Sequence, residues 1–169
     1  MRRASEKLAM NAVEQPQSIE CLFSVVRTAD QVKASRASWV LGHLWDISPT
    51  SLALYMDDVV DIIIGTAHES VRRNFLRIVA DSEPETSVLM ALFEHCIGCM
   101  ISERHAVAVR CNAMQILYLT CKKEPDLSRE VKTYIESCIG FGSAAFKARG
   151  KAIVKQLSLL EQNELAENI

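Results

Sequence analysis

One stretch of the chain carries residue types that hold metals or attack electrophiles: His95-Cys96-Ile97-Gly98-Cys99, with His105 shortly after. Zinc takes thiolate and imidazole ligands in a tetrahedron, and a Cys-x-x-Cys pair commonly supplies two of the four. Here the pair falls inside an apolar stretch that reads as helix, where residues three apart share a face, and no second Cys-x-x-Cys follows. A redox motif of the same spacing belongs beside a strand-helix-strand pattern, which the chain lacks. Cysteine nucleophiles need a base within hydrogen-bond reach and a third group to orient it. The spacing of His43, His68, His95 and His105 provides no such arrangement. There is no P-loop, Gly-x-Gly-x-x-Gly, Gly-x-Ser-x-Gly or His-Glu-x-x-His. Asp57, Asp58 and Asp61 lie on the outward side of an amphipathic stretch and read as a solvated face. No catalytic residue, metal ligand or cofactor is assigned, and the expectation is a protein that is not an enzyme.

The elements that position these residues are helices. Scarce glycine and proline and only 6% aromatic residues disfavour a β-sandwich or barrel, which needs frequent turns and β-rich runs. Pro16, Pro49, Pro84 and Pro125 are each followed within two or three residues by Ser or Thr and then by an apolar periodic run. Proline suits the first turn of a helix, and Ser or Thr can cap the free amides there, so each proline announces a helix start. In the second run Leu52, Tyr55, Met56, Val59, Val60 and Ile63 recur at intervals of three and four, the stripe of a helix with one buried face.

The proline intervals of 33, 35 and 41 residues are those of stacked helical repeats. Val71-Arg72-Arg73-Asn74-Phe75-Leu76-Arg77-Ile78-Val79 and Val109-Arg110-Cys111-Asn112-Ala113-Met114-Gln115-Ile116-Leu117 share a nine-residue pattern, and a degraded copy runs from Phe146 to Val154. A first copy is drawn from Val32 to Val40, with either Lys33 or Arg36 at the basic position. The spacing predicts first helices near 18–28, 50–66, 85–101 and 127–139 and second helices near 31–45, 69–80, 105–121 and 143–160. A short leading helix over 4–14 and a frayed tail over 161–169 complete the chain.

The Val109-Arg110 pair, followed by Asn112-Ala113 and Ile116-Leu117, resembles the second-helix signature of the HEAT-repeat family, and the resemblance extends over residues 18–157. It implies an all-α fold, a short α-solenoid of about four stacked antiparallel helix pairs. First helices would form a convex face and second helices would line a concave one used to hold another macromolecule. The repeats fall at approximately 18–47, 48–82, 83–123 and 124–160 within one domain spanning 1–169. Such an architecture specifies a binding shape and leaves the ligand open.

Charge narrows the ligand. The chain of 169 residues has a formal net charge of −2. The expected second helices with their ends hold twelve basic residues and only Glu69 as an acid, a net +11. A cationic inner face calls for an acidic partner. Arg72, Arg110 and Lys147 occupy equivalent repeat positions, where a basic residue often bonds to acids or carbonyls of the neighbouring repeat. Arg73, Arg77, Arg149 and Lys151 fall off that position and are better placed for ligand contact, or for an ordinary solvated face. Arg36 and Trp39 form a basic–aromatic pair, although a tryptophan at helical spacing also suits a core.

The expected function is a protein-interaction module that binds an acidic protein surface or helix. The alternative is a nucleic-acid-binding protein similar to the HEAT-like DNA glycosylases. A monomer and a homodimer are both compatible with so few repeats. The longest uncharged run, Cys111 to Cys121, falls short of the roughly 20 residues of a spanning helix. No apolar signal core develops before Pro16, so no membrane association and a cytoplasmic location are expected. The six cysteines then read as reduced thiols, with Cys21, Cys111 and Cys138 as core fillers inside apolar patterns.

Overall fold

The computed structural model describes residues 2–167, with side chains over 3–162. Its helices are α1 (Arg2–Glu14), α2 (Gln17–Thr28), α3 (Gln31–Ile47), α4 (Thr50–Ala53), α5 (Met56–Gly65), α6 (Glu69–Asp81), α7 (Thr86–Ile101), α8 (Val107–Lys123), α9 (Ser128–Ile139) and α10 (Ala144–Glu167). A single 3-10 turn, Pro125–Leu127, leads into α9, and no strand occurs among the described residues. The fold is an all-α solenoid of helix pairs: α2 with α3, α4–α5 with α6, α7 with α8, and α9 with α10. The chain resolves into two compact units, Met1–Ile78 and Val79–Ile169.

The prolines mark the helix starts, but by a different route from the one expected. Pro16 and Pro49 sit at the N-cap positions of α2 and α4 with helical φ/ψ, and no Ser or Thr side chain caps either helix. The proline ring presets the first turn, and the hydroxyl turns back instead: Ser18 Oγ donates to the Gln15 carbonyl at 2.7 Å. Side-chain caps occur where no proline precedes the helix. Asp30 Oδ1 accepts from the amides of Val32 and Lys33 at 3.0 and 3.1 Å, and Ser143 Oγ accepts from Phe146 N at 3.3 Å.

In the first unit Ile19, Phe23, Leu41, Leu44, Leu52, Ile63, Phe75 and Leu76 are fully buried, each contributing on the order of 1.5–3 kcal/mol by leaving water. Phe23 anchors this core, stacking on Tyr55 at 5.2 Å and tilting against Phe75 at 5.9 Å. The expected continuous helix over 50–66 breaks at Leu54–Tyr55 into α4 and α5. Tyr55 is drawn to Phe23, while Leu54 is left 92% exposed. Helix α1 packs on α2 and more extensively on α3, presenting the small buried residues Ser5, Ala9 and Ala12.

In the second unit α7 packs on α8, and α10 on both α8 and α9. Leu89, Leu92, Met100, Val109, Ile116, Leu117, Ile135 and Phe146 are buried there. Gly150 lets α10 approach α9 closely, since a Cβ at this position would stand 2.7 Å from Ile139 Cδ1. Helix α10 runs on to Glu167 rather than fraying after 160. No glycine or proline interrupts that segment, and Lys132 on α9 pairs with Glu161 at 3.2 Å. Residues 168 and 169 of the expected tail lie outside the described residues.

The cysteines divide unevenly. Cys96, Cys99, Cys121 and Cys138 are buried and Cys111 is half-buried. Cys21, expected in the core, is exposed, because α2 turns Ile19, Phe23 and Val26 inward and its cysteine lies off that face.

Candidate functional site

The repeated arginine of the second helices closes the end of the first helix in its own pair. Arg72 donates from Nε to the Ile63 carbonyl at 3.4 Å and from a terminal nitrogen to the Thr66 carbonyl, and it pairs with Glu69 at 3.2 Å. Arg110 donates from Nε to the Met100 carbonyl at 2.8 Å. The last carbonyls of a helix have no intrahelical donors and carry the negative end of its dipole, so a guanidinium satisfies both needs. The expectation of bonds to acids or carbonyls of a neighbouring repeat is corrected here: the carbonyls that both arginines bond lie in their own helix pair, and Arg110 reaches the next pair through its contact with the Phe146 ring. Arg110 is also buried, and its guanidinium lies over the Phe146 ring, so it is withdrawn from any partner.

The register of the first copy also differs from the expected one. A shift of 38 residues superposes the buried positions Ala37, Val40 and Leu41 on Phe75, Ile78 and Val79 and on Ala113, Ile116 and Leu117. The basic position of the first copy is then Ala34, fully buried, and neither Lys33 nor Arg36 occupies it.

Helices α3 and α6 are tied by two rungs. Asn74 Nδ2 donates to Ser38 Oγ at 2.9 Å. Further along, Arg77 donates to Asp46 at 2.8 Å and to the Gly42 carbonyl at 3.0 Å. Arg77, expected to face a ligand, is therefore held between the helices. The helix expected to end near 45 runs to Ile47, so Asp46 lies inside α3.

Between these helices opens a cleft of about 610 Å³ lined by Val32, Arg36 and Trp39 of α3 and by Ser70, Arg73 and Asn74 of α6. None of the residues lining it is acidic. Val32, Arg36 and Trp39 recur at four and three residues along one face of α3, and Trp39 is 36% exposed with its ring 5.5 Å from that of His43. Arg36 and Arg73 are exposed and have no ion pair among the described residues, unlike Arg27 with Asp58, Arg72 with Glu69 and Arg77 with Asp46. A second cleft of about 380 Å³, near Arg27, Asp61, Thr66 and His68, mixes charge signs. Asp58, expected on a solvated face, is the partner of Arg27 there.

Of the residues singled out from the sequence, Arg36, Trp39 and Arg73 thus meet in one cleft of the first unit. Lys147, Arg149 and Lys151 lie exposed on α10 of the second unit, where Arg149 donates to Gln115 at 3.4 Å. With the observed helix bounds, Asp46, Asp81, Glu161, Glu164 and Glu167 join the second helices, and their net charge is +6 rather than +11. Sequence reasoning missed Val32 and Asn74 as parts of the cleft. The Val-Arg-x-Asn repeat carried a signal for Asn74, and the four-residue step back from Arg36 carried one for Val32.

The His95–Cys99 cluster lies in α7 with both cysteines buried. Burial, and then the neighbouring Cys99, push the Cys96 thiol well above its ordinary value, which opposes the thiolate form that zinc or nucleophilic chemistry needs. No group of three or more His, Cys, Asp or Glu side chains gathers as a metal site among the described residues. No helix among them is long and apolar enough to cross a membrane.

The fold and the repeated Val-Arg-x-Asn helices have their counterpart among known families: the HEAT repeat domain matches the chain over residues 2–157. The chain belongs to the HEAT-repeat family, whose members generally mediate protein–protein interaction and are typically non-catalytic scaffolds. No curated protein and no solved structure gives a significant match.

Proposed function

We propose that this protein is a non-catalytic, cytoplasmic interaction module that holds an acidic segment of a protein partner on the second-helix surface formed by α3 and α6. The observation that carries this reading is the pair of arginines, Arg36 and Arg73, facing one cleft with no carboxylate among its lining residues. Elsewhere in the same unit arginines are neutralised internally by Asp58, Glu69 and Asp46. A guanidinium without an internal carboxylate offers two parallel N–H donors to an incoming one, the strongest common form of polar recognition. Exposed Lys147, Arg149 and Lys151 are a secondary basic surface in the same sense.

The test is a random peptide array probed with the purified protein and with an Arg36→Glu/Arg73→Glu variant whose helicity is verified by circular dichroism. The bound peptides are expected to be rich in Asp and Glu and to be lost with the variant. Hits without acidic enrichment, or a hit set unchanged by the double reversal, would sink the proposal.

A further inference from the structure

Resting on that reading, we infer that the acidic segment also carries one large apolar side chain, which seats against Trp39 and Val32 with a carboxylate on either side meeting Arg36 and Arg73. The cleft is not uniformly basic. Val32 is 58% exposed and Trp39 36%, so apolar surface and charge alternate within one space. Covering those side chains with an apolar group releases their water favourably, a gain that a purely acidic segment forgoes. Interfaces concentrate their energy in such places, where an aromatic side chain is enclosed by a ring of polar contacts.

The dimensions favour a short segment. A cleft of about 610 Å³ lies within the roughly 300–1,000 Å³ of sites that enclose a small ligand, enough for an anchor side chain and its flanks. The two rungs hold the cleft walls before anything binds, since Asn74 is fixed on Ser38 and Arg77 on Gly42 and Asp46. A wall already ordered in the free protein loses little entropy on binding.

The same features speak for a protein segment over nucleic acid. Residues through Ile78 carry nine basic and nine acidic side chains, and phosphate-tracking sites rely on many neutralised phosphates, each adding about 0.9 to the salt slope on a duplex. Two arginines beside one tryptophan match a pair of carboxylates around an anchor better than a charged backbone.

The experiment is fluorescence anisotropy with three labelled peptides: an acidic one with a central Phe, the same peptide with a central Ser, and the Phe peptide with its acids replaced by Ser. A labelled oligothymidylate is the fourth probe. The acidic Phe peptide is expected to bind about tenfold or more tighter than the acidic Ser peptide. Trp39→Ala should erase that difference while leaving weak binding of the acidic Ser peptide, and Arg36→Glu/Arg73→Glu should weaken both. Should Trp39→Ala fail to fold, Val32→Ser at the same wall serves instead. Equal affinity for the two acidic peptides, sensitive to the double reversal, would overturn the anchor inference and leave the acidic-partner reading standing. Failure of both acidic peptides, insensitivity to the double reversal, or preference for the oligonucleotide would overturn both.

Discussion

The guanidinium carbon of Arg110 stands 4.0 Å from the centroid of the Phe146 ring. Because Arg110 Nε also donates to the Met100 carbonyl, one side chain joins α7, α8 and α10 of the second unit. Replacing it by Ala removes a buried side chain and leaves that carbonyl without its donor, and the expected cost is about 2–4 kcal/mol. Arg73→Ala, at an exposed position of the equivalent repeat, should change stability within about 0.5 kcal/mol. Urea unfolding of the two variants side by side checks the contrast, and equal losses would contradict it.

Two helical glycines should respond in opposite directions. Gly98 lies exposed in α7, with nothing within 4 Å of an added Cβ. Gly98→Ala is therefore expected to stabilise by about 0.5–1 kcal/mol through the lower backbone freedom of the unfolded chain. Gly150→Val drives branched carbons into Ile139 and Ile135, whose nearest atoms would lie 2.7 and 3.4 Å from the new Cβ, and should destabilise by about 1–3 kcal/mol. Thermal melts of both variants decide the signs.

The N-terminus of α3 should be acid-sensitive. The amide of Lys33, followed by its ammonium, holds the Asp30 carboxyl below its ordinary 3.8. A carboxyl with a lowered folded value stabilises the fold above its unfolded value, and that contribution is lost as pH falls below 3.8 and through the folded value. The denaturant midpoints of the wild type and Asp30→Ala should differ at neutral pH and converge in acid. A gap independent of pH would rule out the cap as its origin.

Thiol reactivity should follow burial rather than position in the chain. Cys21 is exposed, whereas burial pushes the Cys121 thiol up to about 11 and holds the Cys96 thiol well above its ordinary value. A disulfide reagent at mildly alkaline pH is expected to modify Cys21 first. Cys96 and Cys121 should react only as the protein unfolds, read by mass spectrometry of the modified peptides. Rapid native labelling of Cys96 would contradict the packing of α7.

Helix positions, the pairing order and the family were legible in the residues because helix formation is local. A 3.6-residue apolar period fixes a helix without reference to distant segments, and a proline shortly before α7 and α9 adds a start signal, so α3, α6, α7, α8 and α9 lie within a few residues of expectation. The break at Tyr55 was not legible, since the contact its ring makes there is with Phe23, far away in sequence.

The arginines mark the same division most sharply. Sequence alone determined that the second helices are rich in basic residues and that Arg72 and Arg110 are equivalent. Only the tertiary structure decided that Arg72, Arg77 and Arg110 are taken up by carbonyls and carboxylates from other segments while Arg36 and Arg73 face a shared cleft beside Trp39. Charge is a property of the residue, whereas its availability depends on which acceptors the packed helices bring within about 3 Å.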